Sequence, residues 1–198
     1  MKFNKKQIDR YSRQIILKKI GIIGQKKLFK SSVLIVGVGG LGSPIAIYLA
    51  AAGVGKIGII DKDKVEISNL SRQIIFSTND IDKRKSLVAI KKIKKINPSI
   101  KLKSFNDKLN KKNIKTIAKN FDLIVDGSDN FRTRFLINDF CIKNKKILIS
   151  GAISKFDGQV YTFNFRKKKS PCLRCFIPHE PNDLDLDNCE YDGVLGTL

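Results

Sequence analysis

The apolar stretch Val33 to Val36 runs straight into Gly37-Val38-Gly39-Gly40-Leu41-Gly42, and nothing else in the 198-residue chain limits its fold so tightly. A buried strand, a G-x-G-x-x-G turn and a helix together open a βαβ unit. The glycines permit a tight turn and leave backbone N–H groups free at a helix N-terminus. Such a turn suits any pyrophosphate, so alone it does not separate a dinucleotide from a triphosphate.

The rest of the chain keeps that rhythm. Apolar spacing predicts a helix over Lys5 to Lys18, a short helix over Gln25 to Phe29, a helix over Leu41 to Ala52 and a strand over Lys56 to Ile60 that ends at Asp61. Thr78-Asn79-Asp80 signals the start of a helix reaching Ile96, stopped by Asn97-Pro98. Strands over Ile100 to Phe105, Leu123 to Asp126 and Ile147 to Ser150 then alternate with helices over Lys111 to Asn120 and Phe131 to Lys143. The pattern predicts an α/β, Rossmann-like, mainly parallel sheet with helices on both faces and ligands at the C-terminal strand ends. After Gly151 the rhythm changes: Gly158 to Phe165 alternates like an edge strand, and Pro171 to Leu198 reads as loop. The expected organisation is one domain over 1–198. Its parts are N-terminal helices (1–30), a nucleotide-binding core (31–151) and a C-terminal strand and loop region (152–198). A chain of this length can bury roughly 70 % of its unfolded surface in one core.

Composition removes several classes. The uncharged stretch Val33 to Gly55 is long enough to tempt a membrane reading, but its glycines and Pro44 divide it into strand, turn and helix. Met1-Lys2-Phe3-Asn4-Lys5-Lys6 lacks the apolar core of a signal peptide, which makes a cytoplasmic location the default expectation. A net charge of +21 raises the question of nucleic acid. The lysines are spread between apolar positions, as in Lys91-Lys92-Ile93-Lys94-Lys95-Ile96, and so read as solvated helix faces rather than a phosphate-binding patch.

The residues after the glycine turn carry the chemistry. Asp61 stands where a carboxylate closes the second strand and can bind ribose hydroxyls. Beyond it, Asn69-Leu70-Ser71-Arg72-Gln73 and Lys83-Arg84-Lys85 bring cations within one loop and one helix start. A nicotinamide site has no need of them, whereas a polyphosphate leaving group, whose charge grows in the transition state, does. Lys83 and Arg84 read more readily as exposed ion-pair partners. Asp126-Gly127-Ser128-Asp129-Asn130 closes the fourth strand at the same sheet edge. Hard oxygen donors opposite a polyphosphate suit magnesium. Asp129 is the candidate metal contact, its alternative being the N-cap of the next helix; Asp126 reads as a residue that caps the turn or fixes Asn130.

These motifs together resemble one family, the ThiF/MoeB/HesA adenylyltransferases, bacterial relatives of ubiquitin-activating enzymes. The likeness covers nearly the whole chain. It is carried by Tyr11-Ser12-Arg13-Gln14, the turn from Gly37 to Gly42, Asp61, Asn69 to Gln73, Asp126 to Asn130, Ser150-Gly151-Ala152, Pro171-Cys172-Leu173-Arg174-Cys175 and the region of Cys189.

The resemblance implies an enzyme that binds ATP and magnesium. It joins AMP to the C-terminal glycine carboxylate of a ubiquitin-like sulfur-carrier protein ending in Gly-Gly, for molybdopterin or thiamine synthesis, and releases pyrophosphate. It implies that Gly37, Gly39, Gly40, Leu41 and Gly42 approach the nucleotide, with Gln73 and Asn130 beside it. Asp61 then holds ribose, Asn69, Arg72 and Lys85 bind phosphate oxygens, and Asp129 holds the metal. It also implies a homodimer in which Arg13 reaches the neighbouring subunit's phosphates.

The chain departs from the family in two places. Relatives place Gly and Pro before the phosphate lysine, where this chain has Asp82-Lys83-Arg84, so Lys85 is chosen by its distance from Arg72. Relatives also continue past the position of Leu198 with a second C-x-x-C, further strands and part of the carrier-docking surface, so the chain reads as lacking that part.

Cys172-x-x-Cys175 therefore has the spacing of half a zinc site, and a structural site needs four ligands. Cys189 matches a position where some members form a thiol-linked intermediate. Asp187 and Glu190 beside it would raise rather than lower a thiol pKa. Cys141, at helical spacing beside Phe140 and Ile142, reads as core. Two rival readings accompany the adenylyltransferase: an NAD-dependent oxidoreductase, which shares the glycine turn and Asp61, and a catalytically weak protein that binds nucleotide and carrier.

Overall fold

β1 (Ser32–Val36) is buried along its entire length, as a central parallel strand covered on both faces must be. In a computed structural model describing residues 3–181 and 193–196, it lies between β2 (Lys56–Ile60) and β4 (Leu123–Asp126). With β3 (Lys101–Phe105), β5 (Ile147–Ser154) and β6 (Asp157–Asn164) the sheet order is β3-β2-β1-β4-β5-β6. All neighbours are parallel except β5 and β6, which pair antiparallel as a hairpin. From β1 the chain builds outward to β2 and β3, then returns to β4 and β5 on the other side. The strand order thus reverses between β1 and β4, where α/β sheets open a ligand crevice.

Two hydrophobic clusters cover the sheet. Ile35, Ile57, Ile59 and Val125 pack under α3 (Gly42–Ala52) and α4 (Lys85–Ile96). On the opposite face, Leu34, Val36, Ile124 and Leu148 meet α5 (Ile114–Ala118) and α6 (Phe131–Lys143). Cys141 belongs to that second cluster, as its spacing predicts. On α4, Ile93 is buried while Lys91, Lys94 and Lys95 are exposed, so this charge run is a solvated face. Among the described residues no helix is long and apolar enough to cross a membrane.

The N-terminal helices are α1 (Lys5–Ile15) and α2 (Gly21–Lys30). α1 starts at a reciprocal cap, in which Gln7 N–H donates to the Asn4 side chain at 2.9 Å and Asn4 N–H donates to the Gln7 side chain at 3.1 Å. It is fastened to the C-terminal ends of α3 and α4. The Tyr11 hydroxyl, fully buried, accepts from Asn97 Nδ2 at 2.8 Å, and Arg10 donates to the Ile96 carbonyl at 2.7 Å.

Several boundaries differ from expectation. α1 ends at Ile15 and α2 begins earlier, at Gly21, whose φ of 56° breaks the two apart. The expected helix start at Thr78 is a separate 3₁₀ turn, Thr78–Asp80, closed by Ser77 N–H and Oγ donating to the Asp80 carboxylate. Asp82 then turns left-handed at φ 65°, and α4 begins at Lys85. α5 is shortened because the Asn110 side chain takes the backbone N–H groups of Lys112 and Asn113. The C-terminal region also contains a short helix, α7 (Leu173–Phe176). It is docked on α6 by Leu173 N–H donating to Asn138 Oδ1 and by a two-pronged Arg174–Asp139 pair.

Candidate active site

The turns after β1 and β4 touch. A Cβ on Gly37, itself at φ 79°, would lie 3.0 Å from the Gly127 carbonyl oxygen. Gly42 does not line the crevice; a Cβ there would fall 2.0 Å from the Gly37 carbonyl, so its place is to let α3 close onto the turn. Around this contact lies one crevice in two lobes, which share Gly39, Gln73, Gly127, Ser128 and Asp129. One lobe runs along Gly37, Asp61, Lys85 and Asn130 to the loop after β3, Asp107 to Leu109. The other is walled by Gly40, Leu41, Arg72, Arg134, Ile153 and the segment Val194 to Gly196.

α3, α4 and α6 run antiparallel to the strands, so all three N-termini face this edge of the sheet. None has an acidic residue in its first turn. Helix N-termini carry about half a positive charge, ordinarily matched by Asp or Glu. Three such ends at one edge favour an anionic ligand in the crevice.

The side chains sharpen that bias. Lys85 is the first residue of α4, held there by its N–H donating to the Asp63 carbonyl at 2.9 Å. The residue is only 7 % exposed, and its ammonium makes no hydrogen bond or ion pair among the described residues. The competing cations point elsewhere: Lys83 donates to the Asn79 carbonyl and Arg84 to the Lys62 carbonyl, both at the surface. Arg72 crosses Gly40 into the second lobe, with Nη1 donating to the Ser68 carbonyl at 3.1 Å. Gln73 sits at the seam, 4 % exposed, and its Oε1 has no partner among the described residues.

Asp61 has two local duties. Its Oδ2 accepts from Val38 N–H at 2.9 Å and its Oδ1 from Asp63 N–H at 2.8 Å, pinning the glycine turn to the end of β2. Burial pushes its carboxyl above the usual range, against the pull of those two N–H groups and of Lys85. Lone pairs remain on both oxygens for a ligand hydroxyl.

The two carboxylates after β4 divide sharply. Asp126 is buried and structural: it accepts from Ser128 N–H, Ser128 Oγ and Ser150 Oγ, which accounts for Ser150 in the motif. Burial holds its carboxyl above the usual range, with Arg134 and the serines opposing. Asp129 is exposed at the seam of the lobes. It does not cap α6; Asn130 does, accepting from Thr133 N–H at 2.9 Å, while Asn130 Nδ2 steadies Asp129 at 3.2 Å.

Besides Gly42, two expected ligand residues lie outside the crevice. Asn69 is buried in its own 3₁₀ turn, with Oδ1 accepting from Glu66 N–H at 3.1 Å, and does not line either lobe. Arg13 is exposed on α1. That helix is tied to the C-terminal ends of α3 and α4, at the sheet edge opposite the crevice, so Arg13 and this chain's own Gly loop are at opposite ends of the fold. Conversely, three groups lie in the crevice that motif reading missed: Arg134, Lys108 and the segment Val194 to Gly196. Arg134 donates to the Ser128 carbonyl at 2.6 Å. Its position in the first turn of the helix after β4 was the available signal.

An ATP-type ligand and magnesium fit these residues. The Lys85 ammonium, unpartnered on the crevice wall, and the acid-free helix ends suit phosphate oxygens. Among the described residues no three His, Cys, Asp or Glu cluster to hold a metal. A magnesium ion held by one carboxylate together with substrate phosphates and water is consistent with that. Zinc fits only in part: the Cys172 and Cys175 sulfurs are 3.8 Å apart, about the separation of two thiolates on one tetrahedral zinc, but no further ligand stands near them among the described residues. Cys189 lies outside the described residues.

Comparison with known proteins agrees with this geometry. The chain is 42% identical over its whole length to a Thermus thermophilus protein called "Sulfur carrier protein adenylyltransferase", of which it covers 74%. It is 46% identical over 99% of its length to a Porphyra purpurea "Probable molybdopterin-synthase adenylyltransferase", of which it covers 51%. Several other curated relatives are also about twice as long as the chain. Among solved structures, E. coli MccB with ATP superposes with a TM-score of 0.75 at 27% identity, covering 92% of this chain and 54% of that one. The sequence profile of the ThiF family matches residues 11–198, and the chain belongs to that family.

Proposed function

We propose that this chain is an ATP-dependent adenylyltransferase acting on the C-terminal glycine carboxylate of a ubiquitin-like sulfur-carrier protein. The observation that carries the reading is the meeting of Arg72 and Asp129 in one crevice with the glycine turn, while Lys85 enters the same crevice from α4 without a partner of its own. The relatives named as sulfur-carrier and molybdopterin-synthase adenylyltransferases support the choice of substrate; thiamine synthesis is the other pathway consistent with the family.

At neutral pH the carrier carboxylate is already ionised, so no protein base is required. Its oxygen attacks the α-phosphorus, the bond to the pyrophosphate oxygen breaks, and an acyl-adenylate forms. The chain's contribution is alignment and charge stabilisation. Asp61 holds the ribose while pinning the turn, the glycine turn and helix ends receive phosphate oxygens, and Arg72 and Lys85 stabilise charge growing on the leaving group. Asp129 would hold magnesium, which neutralises phosphate charge when bound. Because Arg13 is remote from its own crevice, its role falls to a second copy. A homodimer would place it against the partner's phosphates, where an arginine in trans is worth on the order of a thousandfold in other phosphoryl transfers.

The oxidoreductase alternative gives Arg72, Lys85 and Asp129 nothing to do. The test is mass spectrometry of a carrier ending in Gly-Gly after incubation with the protein, ATP and magnesium, with the acyl-adenylate mass as the expected product. Arg72→Ala is expected to abolish carrier-dependent exchange of pyrophosphate into ATP in a chain that still folds; retention of most of that exchange removes Arg72 from the mechanism. Equal binding of AMP and ATP with no exchange would favour a catalytically weak binding protein.

A further inference from the structure

Arg72 is held from two sides. Below it, a Cβ on Gly40 would rest 3.7 Å from Arg72 Cγ and 3.8 Å from Cδ, an ordinary contact, so the arginine stem already lies flat across the turn. Above it runs the segment Val194 to Gly196. That segment is secured to the β5–β6 hairpin by Leu195 N–H donating to the Lys155 carbonyl at 3.1 Å, within a parallel bridge between Lys155 and Val194. Where the segment meets Arg72 there is no room for a side chain: a Cβ on Gly196 would lie 2.6 Å from the Ser71 carbonyl oxygen and 3.1 Å from Arg72 Cβ. The first contact is with backbone, which no rotamer change can relieve.

We propose that Gly196 is a positioning residue for Arg72. By letting the 194–196 backbone lie directly on Ser71 and Arg72, it presses the arginine stem onto Gly40 and fixes where the guanidinium stands in the second lobe. The Ser68 carbonyl supplies the remaining constraint at the head. An arginine stem left free samples many rotamers, and fixing it before the ligand arrives removes that entropy cost from binding. The inference rests on the reading of Arg72 as a phosphate contact.

The test measures binding of ATP with magnesium, and of AMP, by calorimetry to the wild-type chain and to Gly196→Ala, Leu195→Pro and Arg72→Ala. Leu195→Pro removes the N–H that ties the segment to Lys155, and fixes φ at 195, so it loosens the same contact without adding a side chain against Ser71. Both segment variants are expected to weaken ATP binding about tenfold or more, as misplacement of a positioned group does. Both should leave AMP binding within twofold and the melting temperature near wild type. Gly196→Ala and Leu195→Pro with wild-type ATP affinity, beside an Arg72→Ala chain that has lost it, would overturn the proposal. So would equal weakening of ATP and AMP, which marks a general structural effect. Wild-type ATP affinity in Arg72→Ala would instead refute the phosphate reading of Arg72 itself.

Discussion

Lys85 offers the sharpest test of the electrostatic account, because its worth to the empty protein and its worth to the liganded one have opposite signs. In Lys85→Met the aliphatic stem is replaced nearly volume for volume, a change that by itself costs under about 1.5 kcal/mol. What disappears is the ammonium of a residue that is 7 % exposed at the first position of α4, with no hydrogen bond or ion pair among the described residues. A cation at a helix N-terminus is unfavourable by about 0.3–1 kcal/mol, and its burial adds to that. The opposing loss is a longer-range attraction to Asp61, weaker there than burial and the two backbone N–H groups. The unliganded variant is therefore expected to be as stable as wild type or more so by about 1 kcal/mol in urea unfolding. The liganded comparison reverses: a charge-assisted hydrogen bond is worth about 1.5–3 kcal/mol, so ATP affinity should fall about 10- to 150-fold, and the stabilisation conferred by ATP and magnesium should shrink accordingly. An unliganded variant destabilised by more than about 1 kcal/mol, together with unchanged ATP affinity, would make Lys85 a structural residue and refute the reasoning.

Asp126→Ala strips the acceptor from one buried backbone N–H and two serine hydroxyls and is expected to cost about 2–4 kcal/mol in urea unfolding. Asp126→Asn keeps the shape and adds a pH test. Burial raises the folded carboxyl above its unfolded value of 3.8, so its contribution is fully present below that value and lost as pH rises through the folded one. A neutral Asn lacks this dependence, and the stability of Asp126→Asn relative to wild type should move in the variant's favour from about pH 4 upward; a flat difference would refute it. Burial also pushes the Cys141 thiol up to about 12. Alkylation of the native chain at pH 8 with peptide mapping is expected to mark Cys172 and Cys175, whose side chains reach solvent, and to spare Cys141 until denaturant is added.

The parts that were legible in the sequence are those governed by short-range rules. β1, the glycine turn, α3 and β2 could be placed because a fully buried strand, an uncharged helix and Gly53 leave little else for residues 33–60 to do. Of the three neighbouring cations, Lys85 lines the crevice while Lys83 and Arg84 bond at the surface, and the helix start lies at Lys85 rather than at Thr78. That serine-aspartate turn caps itself, and a left-handed Asp82 intervenes before the helix begins. Asn69 misled for a related reason: Asn side chains bond to nearby backbone, and here the amide oxygen satisfies Glu66 N–H. Arg134, Lys108 and the 194–196 segment could not be found from local pattern. They reach the crevice through topology, one by following β4, one by following β3, and one by returning from far along the chain to pair with Lys155.

The same topology explains why the crevice is charged as it is. A parallel sheet sends the N-terminus of every following helix to the edge where the strands end, so α3, α4 and α6 bring their positive ends together whether or not a ligand exists. Elsewhere in this lysine-rich chain a cation is cheap, because it stands in water. At this edge it is not: Lys85 is buried at a helix start, Arg72 is pressed between two backbones, and none of the three helices has an acid in its first turn. Of the carboxylates at this edge, Asp61 and Asp126 are occupied with Val38, Asp63, Ser128 and Ser150, while Asp129 stands exposed at the seam of the two lobes. Local preference and tertiary placement therefore conflict at this one place. Under the proposed function such a conflict is resolved when the triphosphate of ATP fills the crevice, which would tie the positive field to the ligand rather than to the protein's own stability.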